Sequence, residues 1–370
     1  MTSSSECDMA NTPSSATPTT AEIRRPPEHV LRVEALLLSA VRAQLLSRHP
    51  ELKPQQVDFL CAPWVHFFSH SALHRLEIHG GSAAPSDLSA SGSEASRPVP
   101  GDTLAFMEFF RTPAYRLYLD QTLAGTGTAA PACRTAVHVL EPHLPARART
   151  VAFMSCLPRN FRYLLPLFSL GRIRFLDNKP ASVEVPPDWG GRTELARQVQ
   201  AALAAPLPQA ASWLGARVRD LFPKSLLEHL GTNLQQKQRL PARQTLFSAD
   251  GWQIIDDWKI YALAQKTQHG VRWIGAPNAL SHGSLAVFWQ REFETTHLDR
   301  YLTWGWTAPV PPDKKLVPFY SPHFAGRSQA KPARTEGNTG ILISAAARPQ
   351  HLLGKVCTTP ALTAIEAYRF

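Results

Sequence analysis

Short β-like runs alternate with helical stretches through the middle of the chain, and this alternation limits the fold more than any other feature. Strands are predicted at residues 136–140, 150–154, 173–176, 245–248, 271–275, 301–304 and 340–344. Helices are predicted between them at residues 194–204, 210–221 and 254–266. Because strands separated by helices of ten or more residues usually lie parallel in one sheet, the pattern predicts an α/β fold with a mostly parallel, Rossmann-like sheet.

The N-terminal part of the chain is helical rather than alternating. Apolar residues at three- and four-residue spacing predict a first helix over residues 28–49. A second helix begins near Pro54, a residue favoured in first turns, and a third spans residues 104–119. Residues 1–27 are rich in Ser, Thr and Pro and are expected to be a disordered tail, and residues 81–101 form a low-complexity insert.

The composition is that of a basic globular protein. Hydrophobic residues make up 44% of the 370 residues, enough for a substantial core. The net charge of +10, from 39 basic and 29 acidic residues, can attract phosphates, nucleic acid or an anionic membrane surface. No block of Lys and Arg and no zinc-finger or RNA-binding signature accompanies it. Nucleic acid is therefore not expected as a partner, and nucleic-acid binding remains only as a third, weaker alternative.

The cysteines and the hydropathy of the chain indicate the cellular compartment in which it works. The five cysteines are scattered without a C-x-x-C spacing, which argues against a disulfide framework and favours a reducing environment. No apolar run reaches the ~18 residues that a membrane span needs, and the N-terminus lacks the apolar core of a signal peptide. We therefore expect a cytoplasmic protein with no transmembrane segment, for which peripheral contact with a membrane remains open.

Candidate functional residues are concentrated between residues 246 and 306. Asp250 follows the predicted strand 245–248, and His282 lies in a loop after the strand 271–275. In open parallel sheets, ligands bind beyond the carboxyl ends of the strands. An imidazole with a pKa near neutrality can take a proton from an acceptor hydroxyl, so His282 is the candidate base and Asp250 a polar group that orients it.

The neighbouring residues suit a sugar or a phosphate. Gly283 and Ser284 would let such a group approach the backbone beside His282. Trp304 and Trp306, separated by Gly305, offer indole faces on which sugar rings can stack.

Each of these candidates also has an ordinary structural explanation, and both interpretations stay open. A Gly-flanked histidine is often a surface residue, Asp-Gly is a common turn and helix start, and indoles are often core residues. Trp252 and Trp258 are expected in the core, and Gln268-His269-Gly270 is expected to end a helix. No metal is required, since no Asp-x-Asp donor site stands out.

Several of these segments resemble one family. Residues 299–306, Asp-Arg-Tyr-Leu-Thr-Trp-Gly-Trp, resemble the Leu-Thr-Trp-Gly-Trp ending found in transferases of bacterial O-antigen and surface-polysaccharide gene clusters. Residues 247–252, Phe-Ser-Ala-Asp-Gly-Trp, resemble the strand-to-helix entry of that family. Upstream, Ala62-Pro63-Trp64 and His74-Arg75 are similar to its Gly-Pro-Trp and Asp-Arg pattern. The resemblance covers about residues 30–345.

The resemblance implies a GT-B-like glycosyltransferase with two Rossmann-like halves facing across a cleft. It implies a nucleotide-activated sugar as donor substrate, no other cofactor, and a saccharide or lipid-linked acceptor. The Gln-His-Gly-Gly loop of the family is Ser281-His282-Gly283-Ser284 here, so the imidazole is kept and its neighbours change.

These implications lead to a prediction of the domain organisation. We expect an N-terminal glycosyltransferase-like domain over residues 28–306, followed by a linker and the start of an incomplete C-terminal domain over 307–370. The alternative is a catalytically inactive fragment that acts as a binding or scaffold protein.

Overall fold

The computed structural model describes residues 28–81, 83–84, 97–126, 133–141, 144–155, 157, 159–176, 180–277, 289–307, 310 and 312–319. The predicted tail 1–27, most of the insert 81–101, the loop with His282, Gly283 and Ser284, and the strand predicted at 340–344 lie outside these residues.

The elements follow the predicted alternation after a helical start. The helices of the N-terminal half are α1 Glu28–Arg48, α2 Pro54–Ile78, α3 Thr103–Phe110, α4 Pro113–Leu123, α5 Arg159–Phe168 and α6 Trp189–Leu203. The later helices are α7 Ala211–Leu221, α8 Lys224–Leu227, α9 Leu230–Gln238, α10 Gly251–Ile254, α11 Asp256–His269 and α12 Trp289–His297. The strands are β1 Val137–Val139, β2 Thr150–Phe153, β3 Ile173–Phe175, β4 Ala181–Val183, β5 Thr245–Ser248, β6 Arg272–Gly275, β7 Arg300–Thr303 and β8 Lys315–Pro318.

A six-stranded parallel sheet forms the centre, in the order β3-β2-β5-β6-β7-β8. The prediction of a mixed α/β fold with a mostly parallel sheet is therefore confirmed. The strand expected at 136–140 does form, but as β1 it pairs antiparallel with β4 in a separate two-stranded sheet. The main sheet continues past residue 306, because β8 pairs with β7.

The burial of each strand reflects its place in the sheet. Val151, Ala152 and Phe153 of the inner strand β2 are all buried, as expected for a strand covered on both faces. The edge strand β3 is only partly buried along its length. The large apolar side chains of α5, which packs on β3, are largely solvent-exposed.

Helices α1 and α2 form the start of a helical layer that packs against the sheet. Trp64 of α2 is fully buried, stacks on Phe68 at 4.9 Å, and donates its indole N–H to the Leu221 carbonyl at 3.1 Å. Phe59 of the same helix stacks on Trp273 of β6 at 4.6 Å. The helical N-terminal segment and the sheet thus share one apolar core.

The single helix predicted over residues 104–119 is wrong, because the structure has two helices there. Helix α3 ends at Phe110, and α4 starts at Pro113. The Thr112 hydroxyl accepts a hydrogen bond from the Tyr115 N–H at 3.3 Å and caps α4. Pro113 has no N–H to continue an earlier helix, so the Thr-Pro pair starts a new one.

Two smaller predictions are confirmed. Gly270 has a φ of 63° and ends α11, with its N–H donated to the Lys266 carbonyl. Trp252 and Trp258 are fully buried core residues. Within the described ranges, none of the helices combines the length and the apolar character that crossing a membrane requires.

Candidate functional site at the carboxyl edge of the sheet

The strand order predicts a ligand crevice between β2 and β5. From β2 the chain passes through α5 to β3 on one side, and it later returns to β5 on the other side of β2. The connections from β2 to β3 and from β5 to β6 thus leave these two neighbouring strands in opposite directions, which makes their junction a topological switch point. Ligands of open α/β sheets bind at the carboxyl ends of the strands beside such a point.

The turn after β2 adopts an unusual backbone conformation. Met154 has a φ of 43°, in the left-handed region that side chains other than glycine seldom enter. Its carbonyl accepts the Ala249 N–H from the turn after β5 at 3.2 Å. Such a residue costs on the order of 1–3 kcal/mol, and strained residues of this kind cluster at functional sites.

The turn after β5 is held by Ser248. The Ser248 hydroxyl accepts the Gly251 N–H at 2.9 Å and the Asp250 N–H at 3.4 Å. A Cβ on Gly251 would lie 2.8 Å from Cδ1 of Phe153, so glycine is needed where the two turns meet. Asp250 is half-buried and makes no side-chain capping bond to α10.

The end of β7 presents the predicted indoles to this same edge. Trp304 and Trp306 are half-buried, and Gly305 between them is exposed with a φ of 86°. The Trp306 ring lies 5.8 Å from Tyr301, and the Arg291 guanidinium lies 5.9 Å from its centre. Each indole therefore combines a packed part with a solvent-accessible part.

The end of β6 leads into residues that the structure does not describe. Gly275, Ala276 and Pro277 are buried at the carboxyl end of this strand. His282, Gly283 and Ser284 follow in the undescribed range 278–288, so their roles remain predictions. The described part of the site is therefore formed by the ends of β2, β5 and β7.

A buried glutamate lies behind the Asp250 turn. Glu294 of α12 is fully buried and accepts a hydrogen bond from the Gln253 amide at 2.7 Å. Burial, helped by the negative charge of Asp250, raises the pKa of Glu294 well above its usual value. The carboxyl group of Glu294 therefore keeps its proton to a higher pH than an exposed glutamate does.

A small pocket adjoins the α10–α11 junction. Its walls include Ile254, Ile255, His138 and Asp102. The Asp102 carboxylate accepts from the backbone N–H of His138 at 3.0 Å, and His138 Nδ1 lies 3.9 Å from it. Burial and the charge of Arg134 lower the pKa of His138, which keeps its imidazole neutral near pH 7.

The floor of this pocket is a structural junction. Asp256 accepts hydrogen bonds from the Thr103 N–H at 2.8 Å and the Ser225 hydroxyl at 2.5 Å. Asp257 accepts from the Leu140 N–H at 2.6 Å and pairs with Lys237 at 2.9 Å. These bonds join α3, α8 and α9 to the start of α11, and they explain why both carboxylates are buried.

Sequence reasoning missed Met154, Glu294 and His138. Glu294 lies on a nine-residue helix that the apolar pattern does not predict, because Gln290 and Glu294 accompany Phe293 on its buried face. Nothing in the sequence marks Met154, because its conformation comes from the meeting of two turns. The sequence pattern around His138 predicts a strand and does not mark its imidazole as a functional group.

Comparison with known proteins gives one result for this chain. A family model described as LIC12162 family transferase matches residues 135–369. The match includes every strand of the main sheet and both turns at the switch point. Comparisons with curated proteins and with solved structures give no match.

Proposed function

Because the chain belongs to the LIC12162 family of transferases, we propose that it transfers a sugar from a nucleotide-activated donor to a saccharide or lipid-linked acceptor. The observation that supports a sugar as the substrate is the pair of half-buried indoles, Trp304 and Trp306, at the carboxyl edge of the sheet. Indole faces stack on sugar rings, and fixed indoles lose little entropy on binding.

In this proposal the acceptor lies against the carboxyl edge, with the β2–β5 crevice below it. His282 takes the proton of the acceptor hydroxyl as that oxygen bonds to the anomeric carbon of the donor sugar. The bond from that carbon to the phosphate oxygen breaks through an oxocarbenium-like transition state, and the nucleotide leaves with the bonding electrons. Asp250 orients the base, and Gly283, Ser284 and Gly305 allow close approach of the substrates.

The exposed surface of α5 favours a lipid-linked acceptor. Tyr163, Leu167 and Phe168 are 76%, 69% and 77% exposed. The exposed Arg162 lies on α5, and the exposed Arg172 immediately precedes β3. Aromatic and aliphatic side chains beside arginines suit the interface of an anionic membrane. We therefore propose peripheral membrane contact here, during synthesis of a surface polysaccharide such as O-antigen, in the cytoplasm.

Product analysis tests the proposed reaction. The purified chain is incubated with each of a panel of nucleotide sugars and with lipid-linked or free oligosaccharides, and products are read by mass spectrometry. We expect one donor class to yield a product one sugar heavier. His282→Ala should lower the rate by at least about 100-fold, the typical scale of a general base. His269→Ala, an exposed histidine at the end of α11, is the control and should leave the rate unchanged.

The alternative is a binding or scaffold protein without catalytic activity. The change from Gln-His-Gly-Gly to Ser281-His282-Gly283-Ser284 favours it, since the polar neighbours of the imidazole differ. A chain that unfolds cooperatively, gives no product, and still binds an oligosaccharide would support this alternative. A wild-type rate in His282→Ala would remove the imidazole from the mechanism.

A further inference from the structure

A compact cluster of one carboxylate and two imidazoles joins α1 to α2, away from the residues assigned to sugar transfer. His66 and His70 lie one turn apart on α2, and Glu34 faces them from α1. His66 Nδ1 lies 3.1 Å from one carboxylate oxygen of Glu34, and His70 Nε2 lies 3.2 Å from the other. One ligand atom from each residue fits within 4.8 Å of the other two.

These distances suit a bound transition metal. A tetrahedral Zn²⁺ ion with bonds of about 2.0 Å places neighbouring ligand atoms roughly 3.3 Å apart. The distances of 3.1 and 3.2 Å run from the two imidazoles to different oxygens of Glu34, and one ligand atom from each residue lies within 4.8 Å of the others, close enough to converge on one ion. Histidines at positions i and i+4 on one helix face are a spacing that brings both rings to the same ion. A carboxylate from a second helix completes a three-ligand set of the kind that leaves a fourth position open.

The chemistry of the three side chains also suits a cation. Among the described residues, the two imidazoles are the ion-pair partners of Glu34. The cluster therefore offers one carboxylate and two imidazole nitrogens as ligands.

The surroundings fix the rings and leave one side accessible. The indole of Trp289 stacks on His66 at 4.3 Å with 11° between the planes. The side chains of His66, His70 and Glu34 are 2%, 10% and 17% exposed. An ion would therefore be held from the protein side while His70 and Glu34 keep a path to water, which can supply the fourth ligand.

We propose that Glu34, His66 and His70 form a binding site for one divalent transition-metal ion of the zinc class. The ion would bridge α1 and α2 and stabilise the packing of the helical layer on the sheet. This site is distinct from the Asp-x-Asp type of donor site that the sequence lacks.

Zinc binding to the full chain tests the site. The affinity tag is removed, the protein is stripped with a chelator, and Zn²⁺ is titrated against a chromophoric competitor, with bound metal counted by mass spectrometry. We expect one tight equivalent per chain and a rise in the unfolding midpoint with zinc. His70→Ala and Glu34→Gln should each weaken binding by at least about 100-fold. Co²⁺ in the wild-type chain should give the visible absorption of a tetrahedral site.

The matched control is His79→Ala. His79, the residue that follows α2, also pairs with a carboxylate, Asp120, at 3.2 Å, but among the described residues it belongs to no group of three potential metal ligands. Its zinc affinity should equal that of the wild type. The proposal is overturned if the wild type takes up no stoichiometric zinc, or if His70→Ala binds zinc as tightly as the wild type. Because His70 is near the surface, this variant is expected to fold, which circular dichroism checks.

Discussion

The start of α11 and the carboxyl edge of the sheet both contain buried acidic groups, but they use them differently. At the start of α11, Asp256 pairs with Lys259 at 3.0 Å and Asp257 pairs with Lys237 at 2.9 Å, and backbone N–H groups donate to both carboxylates. Burial raises the pKa of Asp257 against the opposing effect of Lys237, whereas at the carboxyl edge Glu294 accepts from the neutral Gln253 amide and its pKa is raised well above its usual value. Met154 at the same edge has a left-handed backbone.

This difference separates a junction that holds the fold together from the edge at which we propose that the substrates bind. A carboxylate paired with lysine and backbone donors has little left to offer a ligand, so its value is structural. A strained turn, a buried carboxyl group with a raised pKa and half-exposed indoles are typical of binding and catalytic sites. Substitutions in each region test this difference.

Removing a lysine at the junction should have the largest effect. Lys259→Ala leaves the buried Asp256 without its cation and also removes the bond from the Lys259 ammonium to the Leu60 carbonyl. We expect a loss of about 3–5 kcal/mol in the free energy of unfolding, measured by denaturant titration. Arg197→Ala, which removes an exposed ion pair with Glu194, is the control and should cost less than about 1 kcal/mol. A loss of unfolding free energy in Lys259→Ala as small as that of the control would contradict the structural role of this junction.

Filling the space at the switch point should have the next largest effect. In Gly251→Ala the new Cβ would approach Phe153 to 2.8 Å and the Ser248 hydroxyl to 2.9 Å. We expect a destabilisation of about 1–3 kcal/mol from overpacking, together with weaker substrate binding. Gly270→Ala is the comparison, since its Cβ meets nothing within 4 Å and only its φ of 63° is unfavourable. Gly270→Ala should leave substrate binding intact. If Gly251→Ala also bound substrate as tightly as the wild type, the turn after β5 would not be part of the binding site.

The buried carboxyl group of Glu294 should make stability depend on pH. Because its pKa is raised in the folded state, the folded chain keeps a proton that the unfolded chain releases above its usual pKa. Wild-type stability should therefore fall as pH rises above the ordinary glutamate range, by up to about 1.4 kcal/mol per pH unit. Glu294→Gln has no carboxyl group to titrate, so its stability should not fall in this way. The free energy of unfolding of Glu294→Gln minus that of the wild type should therefore increase from pH 5 to pH 8. Parallel pH curves for the two chains would show that Glu294 is ionised when folded.

The smallest effect on stability is expected for Trp306, whose ring is only half-buried. Trp306→Ala should cost about 1 kcal/mol in unfolding free energy, measured by thermal and denaturant unfolding. Its KM for the acceptor should rise several-fold, because the sugar loses a stacking surface. Trp252→Ala, at a fully buried position, should instead cost about 3–5 kcal/mol. An unchanged KM in a folded Trp306→Ala chain would place this indole outside the site.

Local signals predicted much of the architecture. The strand 245–248 was predicted at the bounds that β5 has, because an apolar run ends there in a Ser-Ala-Asp-Gly turn. Gly270 was recognised as a helix end because glycine tolerates the left-handed conformation. The same local reasoning also placed Asp250 and Trp304 at strand ends, and the structure brings both to one edge of the sheet.

Other features depend on long-range contacts that a single sequence does not display. The cluster of Glu34 and His66 joins residues 32 positions apart, and Asp257 meets Leu140 across 117 positions. The separate pairing of β1 with β4 likewise follows from tertiary packing rather than from local strand preference. The nine-residue helix α12 was missed because its buried face contains Gln290 and Glu294 beside Phe293.

The central claim is that ligand binds where the turns after β2, β5 and β7 meet, and hydrogen exchange tests it directly. The chain is exchanged with and without a saturating nucleotide sugar and an oligosaccharide acceptor, and peptides are read by mass spectrometry. The account predicts slower exchange in peptides covering residues 153–157, 248–253 and 303–307, with peptides from α6 and α9 unchanged. Protection confined to other parts of the chain, with these three turns unaffected, would contradict it.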